Sequence, residues 1–211
     1  MSRISINCGN NGPLVVKGLT RLIDSEGRQL PTKPAMGLCR CGASRNKPFC
    51  DGSHKDSGFD DARSPQRTQD RCRDYVGQRI TIHNNVLLCS HAEHCVKRLG
   101  SVFSEHNTPW IDPDGDSVEN IRALIDSCPS GALSYSVDGE PQLIPERQPT
   151  IEIEKHGPYR VSGGIELANT DWGDGASHEH YTLCRCGASK NKPFCDGSHV
   201  HSGFRDENEP I

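Results

Sequence analysis

Apolar residues along this chain come in short bursts separated by Gly, Pro and charged positions, the pattern of small β-rich units rather than long helices. Ile4-Ser5-Ile6 and Ile151-Glu152-Ile153 alternate like strand starts, and Pro13 to Gly18 and Pro158 to Gly163 read as short edge strands. Further in, Ile80-Thr81-Ile82 and Val86-Leu87-Leu88 flank His83-Asn84-Asn85 as a predicted hairpin. Ser90 to Val102 and Ser117 to Ser127 read as helices, the second carrying Ile121, Leu124 and Ile125 on one face. Ser134 to Val137 is a final strand before an Asp138-Gly139 turn. The polar run Asp60 to Arg71 and the Pro-bearing stretch Gly139 to Pro149 read as linkers that bound an inserted module. The expected fold class is α+β, built of small modules.

The outer parts of the chain are copies of each other. Leu38 to His54 recurs at Leu183 to His199 with one change, Arg45 to Lys190, and the constant offset of 145 residues also aligns Gly12-Pro13 with Gly157-Pro158, Val16 with Val161, Gly18 with Gly163 and Ser57-Gly58-Phe59 with Ser202-Gly203-Phe204. A unit of this size buries little surface alone. The two copies are therefore expected to pair within one chain as an intramolecular pseudo-dimer, the alternative being two independent beads.

Each copy carries C-x-C-x8-C-x3-H, three thiolates and an imidazole, which are ligands for zinc or iron. Structural zinc sites pair cysteines as C-x2-4-C, so the single-residue gap points elsewhere. A helix opening near Pro48 and Asp51 would place the third Cys and the His on one face, with the first two Cys on an extended loop at the other side. Eleven cysteines, an odd number set in ligand motifs, argue against a disulfide framework and for a reducing compartment.

At these residues the chain resembles the CDGSH iron-sulfur (NEET) family, matching C-x-C-x2-S-x3-P-x-C-D-G-S-H in both copies. The resemblance implies two [2Fe-2S] clusters, one on Cys39, Cys41, Cys50 and His54 and one on Cys184, Cys186, Cys195 and His199; a pair of zinc sites is the alternative. Between the copies, Cys89-Ser90-His91-Ala92-Glu93-His94-Cys95 and Cys128-Pro129 recast a bacterial ferredoxin run with Ala92 at the second cysteine. Tyr75 to Tyr135 resembles the divergent single-cluster ferredoxin domain found fused to CDGSH modules. Cys89, Cys95 and Cys128 suit a [3Fe-4S] cluster, or a [4Fe-4S] cluster with a non-cysteine ligand, His91 being the nearer candidate and His94 the weaker; a site that has lost its cluster is the third possibility. The expected domains are residues 1–59, a CDGSH unit; 72–138, ferredoxin-like; and 149–205, the second CDGSH unit. Cys8 and Cys72 fall outside these motifs and default to free thiols. Asp112 to Asp116 lacks an EF-hand ligand run and reads as a turn.

Composition narrows the function. With 33% hydrophobic and 5% aromatic residues among 211, the core must be thin, and metal binding becomes part of folding. A net charge of -4 gives no case for nucleic acid, and the start of the chain shows neither a signal peptide nor a membrane anchor, so a soluble, cytoplasmic protein is expected. No dinucleotide fingerprint, phosphate loop or nucleophile-base motif suggests an enzyme. The expectation is a one-electron carrier, monomeric with an internal pseudo-two-fold, serving a redox partner protein; the alternative is a donor or redox/pH sensor that passes labile [2Fe-2S] units to an apo iron-sulfur acceptor. Arg40, Arg45 and Lys47, with Arg185, Lys190 and Lys192, would raise the cluster potentials unless they are ordinary solvated surface.

Overall fold

The computed structural model describes residues 3–206. In chain order it has strands β1 (Ser5–Cys8), β2 (Leu14–Lys17), β3 (Leu22–Ile23), β4 (Gln29–Leu30), β5 (Ala35–Leu38), β6 (Cys72–Val76) and β7 (Ile80–Asn85), then helices α1 (His94–Arg98) and α2 (Val118–Asp126). Strands β8 (Leu133–Val137), β9 (Glu140–Pro141), β10 (Thr150–Ile153), β11 (Tyr159–Ser162), β12 (Glu166–Ala168) and β13 (Tyr181–Leu183) follow. This is a β-rich arrangement of small modules with two helices. The chain divides into two compact units, one holding both repeats (through residue 67, 147–171 and from 178) and one holding 68–146 with 172–177.

In the repeat unit, alternation decides which side chains are buried. Leu14 and Val16 of β2 and Tyr159 and Val161 of β11 point inward, while Lys17 is exposed. Neither strand is an edge, contrary to the sequence reading: β2 lies between β1 and β5, and β11 between β10 and β13. Pro13 and Pro158 sit one residue before their strands, so the missing N–H costs the ladder nothing. The sheets are shared between repeats. β1 pairs in parallel with β12, Ile6 opposite Leu167, and β10 pairs in parallel with β3, Ile151 opposite Leu22. These are the same pairing read from either copy, because a shift of 145 residues carries Ile6 to Ile151 and Leu22 to Leu167.

The other unit is the sheet β6-β7-β8-β9 covered by the helices. Ile80 and Ile82 pack with Phe103, Ile111, Ile121, Ile125, Leu133 and Tyr135 into one core. On the other side of β7, His83 bridges Asp74 at 2.7 Å and Ser136 at 3.2 Å, stitching three strands. The predicted hairpin at His83 to Asn85 is absent: β7 runs through these residues, and Val86–Leu88 is a 3-10 turn capped by the Asn85 side chain. The buried Asn85 amide also donates to Asp70 and to the Asp174 carbonyl, both at 2.8 Å, and so holds the strand straight where a turn was expected. The predicted helix from Ser90 to Val102 shrinks to α1, because His91 and Glu93 adopt positive φ. α2 starts as expected, with Ser117 accepting from the Asn120 N–H and Ile121, Leu124 and Ile125 buried. Asp138 and Gly139 form the β8-β9 turn with φ of 51° and 86°. Among the described residues no helix is long and apolar enough to cross a membrane.

Candidate metal centres

Each motif loop presents its four donors as two pairs. Cys39 and Cys41 Sγ lie 3.6 Å apart and Cys50 Sγ lies 3.4 Å from His54 Nδ1; in the second copy the corresponding distances are 3.7 and 3.5 Å. The expected helix at the third ligand is a single 3-10 turn (Ser53–Lys55 and Ser198–Val200), since Gly52 and Gly197 enter it at φ of 95° and 82°. The motif residues between the ligands hold the loop. Asp51 accepts from the N–H groups of Arg45 and Ser53 and Ser44 donates to the Phe49 carbonyl, contacts repeated by Asp196 and Ser189. The Ser53 hydroxyl, which also donates to Asp51 at 2.6 Å, together with the Ser53 and Arg45 N–H groups keeps the Asp51 carboxyl far below its usual range. The Gly52 and Gly197 N–H groups donate to Cys50 and Cys195 Sγ, a means of steadying a thiolate ligand.

The first two thiols of each motif are hydrogen-bonded to each other. The bond from Cys41 lowers Cys39 to about 6 while raising Cys41, and in the second copy the bond from Cys184 lowers Cys186 to about 6 while raising Cys184. The negative charge thus belongs to the pair, whichever sulfur carries it. Among the described residues no three His, Cys, Asp or Glu side chains are placed to hold one metal ion. The two loops meet back to back at an antiparallel bridge between Cys41 and Cys186. A Cβ on Gly42 would stand 2.7 Å from the Cys186 carbonyl oxygen, and one on Gly187 2.7 Å from that of Cys41, at φ near 80° in both. Only glycine allows this approach.

Arg40 and Arg185, placed between the first two ligands, are buried rather than solvated. Arg40 donates to the Gly12 and Gly9 carbonyls and to Asp61 at 2.6–2.7 Å, and its guanidinium lies 5.3 Å from the Phe59 ring. Arg185 repeats the set with Gly157, Glu154, Asp206 and Phe204. Asp61 and Asp206 thereby tie the end of each repeat to its ligand loop. Asp61 lay in what read as a linker and Asp206 one residue past the expected second CDGSH unit, and the 145-residue offset continued to them was the signal that would have found them. Arg45 and Lys190 are exposed, whereas Lys47 and Lys192 donate to the Ser44 and Ser189 carbonyls.

One contact breaks the symmetry. Tyr159, fully buried, donates its hydroxyl to the carbonyls of Cys39 and Pro48 at 2.7 and 3.1 Å, reaching from the second repeat into the first ligand loop. Burial holds its phenol neutral, well above the usual range. Tyr159→Phe should cost about 1–3 kcal/mol and loosen the first site more than the second. Thermal melts and site-resolved cluster spectra check this; equal effects at both sites would count against it.

The second motif is also the better covered. Arg63 donates to the Lys192 carbonyl, the Ser64 N–H to the Lys190 carbonyl and Arg67 to Asn191 Oδ1, all at 2.9 Å. Phe194 and Cys195 are buried, whereas Phe49 and Cys50 are only half-buried.

In the other unit Cys89, Cys95 and Cys128 line one small cavity with Ala92 and His94. Burial raises the Cys89 thiol to about 12 and raises Cys95 as well, with the neighbouring thiols adding repulsion. His91 is exposed and lines a more open groove that shares Cys89 and Cys95. Cys8 and Cys72 are free thiols, and Asp112 to Gly115 forms a turn closed by Asp112.

Paired thiols and imidazoles on two copied loops of one unit, and a three-cysteine cavity in the other, define a protein of iron-binding modules. Residues 11–55 and 156–200 each match the iron-binding zinc finger CDGSH type, and residues 75–138 match the divergent 4Fe-4S mono-cluster domain. The chain belongs to the CDGSH iron-binding family, with two CDGSH domains flanking a divergent 4Fe-4S domain. It is also similar to the uncharacterized protein YjdI of Escherichia coli, strains K12 and O157:H7. Each is 42% identical over 65 residues, which cover 31% of this chain and 83% of the relative.

Proposed function

We propose that this iron-sulfur protein is a one-electron carrier with two [2Fe-2S] clusters and a third, ferredoxin-type cluster. The observation that carries the first part is the donor geometry: one pair of adjacent thiols and one pair of a thiol with an imidazole, in both copies. A two-iron centre takes two ligands per iron, whereas a zinc ion needs all four at one point. Cys39, Cys41, Cys50 and His54 hold the first cluster, and Cys184, Cys186, Cys195 and His199 the second. Cys89, Cys95 and Cys128 hold the third. Such clusters supply reversible one-electron chemistry when bound.

The chain's own groups set the terms of that chemistry. Arg40 and Arg185 are fixed cations in a dry setting, and a positive charge there favours the more negative, reduced state. The reciprocal strand pairing of the repeats supports an internal pseudo-dimer, with the two ligand loops abutting at Cys41 and Cys186. The partner in this reading is a redox protein that docks without nucleic acid or membrane.

A second reading, donation of [2Fe-2S] units to an apo acceptor, is favoured by the less covered first motif. Mixing the holo protein with an apo-ferredoxin separates the two readings. A carrier leaves the acceptor empty, whereas a donor fills it, from the first site before the second. Anaerobic protein should contain about eight or seven iron atoms per chain for a four- or three-iron third cluster, and about four with only two-iron spectra if the third site is empty.

A further inference from the structure

The cavity of the third site contains more than its three cysteines. His94 Nδ1 and Asn84 Oδ1 are buried with no hydrogen-bond partner, and both residues line this cavity. Asn84 as a whole is 3% exposed. Two polar atoms left unpaired at one place are costly unless something occupies the space between them. Oδ1 has lone pairs and no proton, and Nδ1 of a neutral imidazole has a lone pair when the proton sits on the other ring nitrogen. With three thiols around the same space, the cavity presents electron-pair donors to an electropositive occupant. That chemistry fits a metal centre.

Ala92, at the position of the absent second cysteine, lines the same cavity, so the missing ligand leaves its gap here. His91 does not line it. Its backbone takes a positive φ of 53° on an exposed turn, and its N–H donates to Cys89 Sγ. His94 opens α1 one residue before the ligand Cys95 and is partly buried.

We propose that His94, through Nδ1, is the fourth protein ligand of the third site and replaces the cysteine absent at Ala92, so that the site holds four irons rather than three. This rests on the reading that the site binds a ferredoxin-type cluster. It replaces His91, the nearer candidate by sequence, with a residue that lines the cavity and whose Nδ1 is buried without a partner.

Full-length protein, assembled anaerobically and then gently oxidised, tests it through iron and sulfide content and electron paramagnetic resonance. Wild type should contain about eight iron atoms per chain and no three-iron signal. His94→Ala should lose about one iron and gain a three-iron signal, while His91→Ala should match wild type. His94→Cys should restore the four-iron centre. Adding Ala92→Cys to His94→Ala should do the same, which shows that the loss came from a ligand and not from misfolding. A three-iron signal in wild type, a His94→Ala protein that keeps four irons, or the phenotype appearing in His91→Ala instead would each overturn the assignment while leaving a cluster in place. About four irons in wild type would instead remove the third cluster itself, and the inference with it.

Discussion

Cluster bleaching in wild-type protein should accelerate as pH falls, and the His54→Cys, His199→Cys double variant should lose most of that acceleration. An imidazole must be deprotonated at its coordinating nitrogen to bind iron, so protons compete with the metal for His54 and His199. The sign follows from that competition: metal binding favours the deprotonated ligand, and acid favours its release. The rate should rise by up to roughly tenfold per pH unit while protonation controls it. In the variant a thiolate takes the place of the neutral ring, so the potential should also fall because the cluster gains negative charge. Stopped-flow absorbance after pH jumps, without oxygen, measures the first effect and redox titration the second. Residual acid sensitivity in the double variant is expected at the third site if His94 is its ligand. Equal decay rates in the two proteins would refute histidine-controlled lability.

Arg40→Met and Arg185→Met should each destabilise the repeat unit by about 3–5 kcal/mol, the cost of breaking a buried ion pair by removing one partner. In each case two backbone carbonyls and a carboxylate lose the guanidinium as a donor, and Phe59 loses its cation in the first repeat, Tyr159 and Phe204 theirs in the second. Lysine should not rescue fully, because one ammonium does not reproduce the spread of a guanidinium fork. The potential of the adjacent cluster should fall as the fixed charge is lost. Burial alone would raise the Asp206 carboxyl, but the Arg185 charge and hydrogen bonds from His156 and Arg185 outweigh it and hold Asp206 below its usual range. A lowered native pKa means stability that is present above the unfolded value and is lost as pH falls through the native one. Wild type should therefore lose stability in acid through this pair, and Arg185→Met should show a flatter acid limb. Denaturant melts across acidic pH check this; an unchanged acid limb in the variant would remove Asp206 from the account.

The ligand motifs were legible because coordination chemistry acts over a few residues: C-x-C-x8-C-x3-H places donors within one loop, and the loop brings each pair to within 3.7 Å. α2 was legible for a similar reason, with its serine cap and the apolar spacing of Ile121, Leu124 and Ile125 all local. The hairpin at His83 to Asn85 was misread because the partners that straighten it, Asp70 and Asp174, lie 15 and 89 residues away. The long first helix failed because the backbone of His91 and Glu93 adopts positive φ beside the cysteines, which residue preference does not foretell. Asp61 and Asp206 were missed because a charged residue in a polar stretch looks solvated until a buried arginine is found opposite it.

By itself the sequence determined that there are two copies of one ligand set, their order in the chain and the kind of metal chemistry they suit, since each depends on residue type and short spacing. Only the tertiary structure decided that the copies share sheets and that Arg40 and Arg185 are interior cations. It alone showed Tyr159 reaching across to Cys39, and His94 rather than His91 lining the third cavity. Those outcomes rest on long-range strand pairing and burial, where the free energy of a polar group depends on which distant atoms close around it.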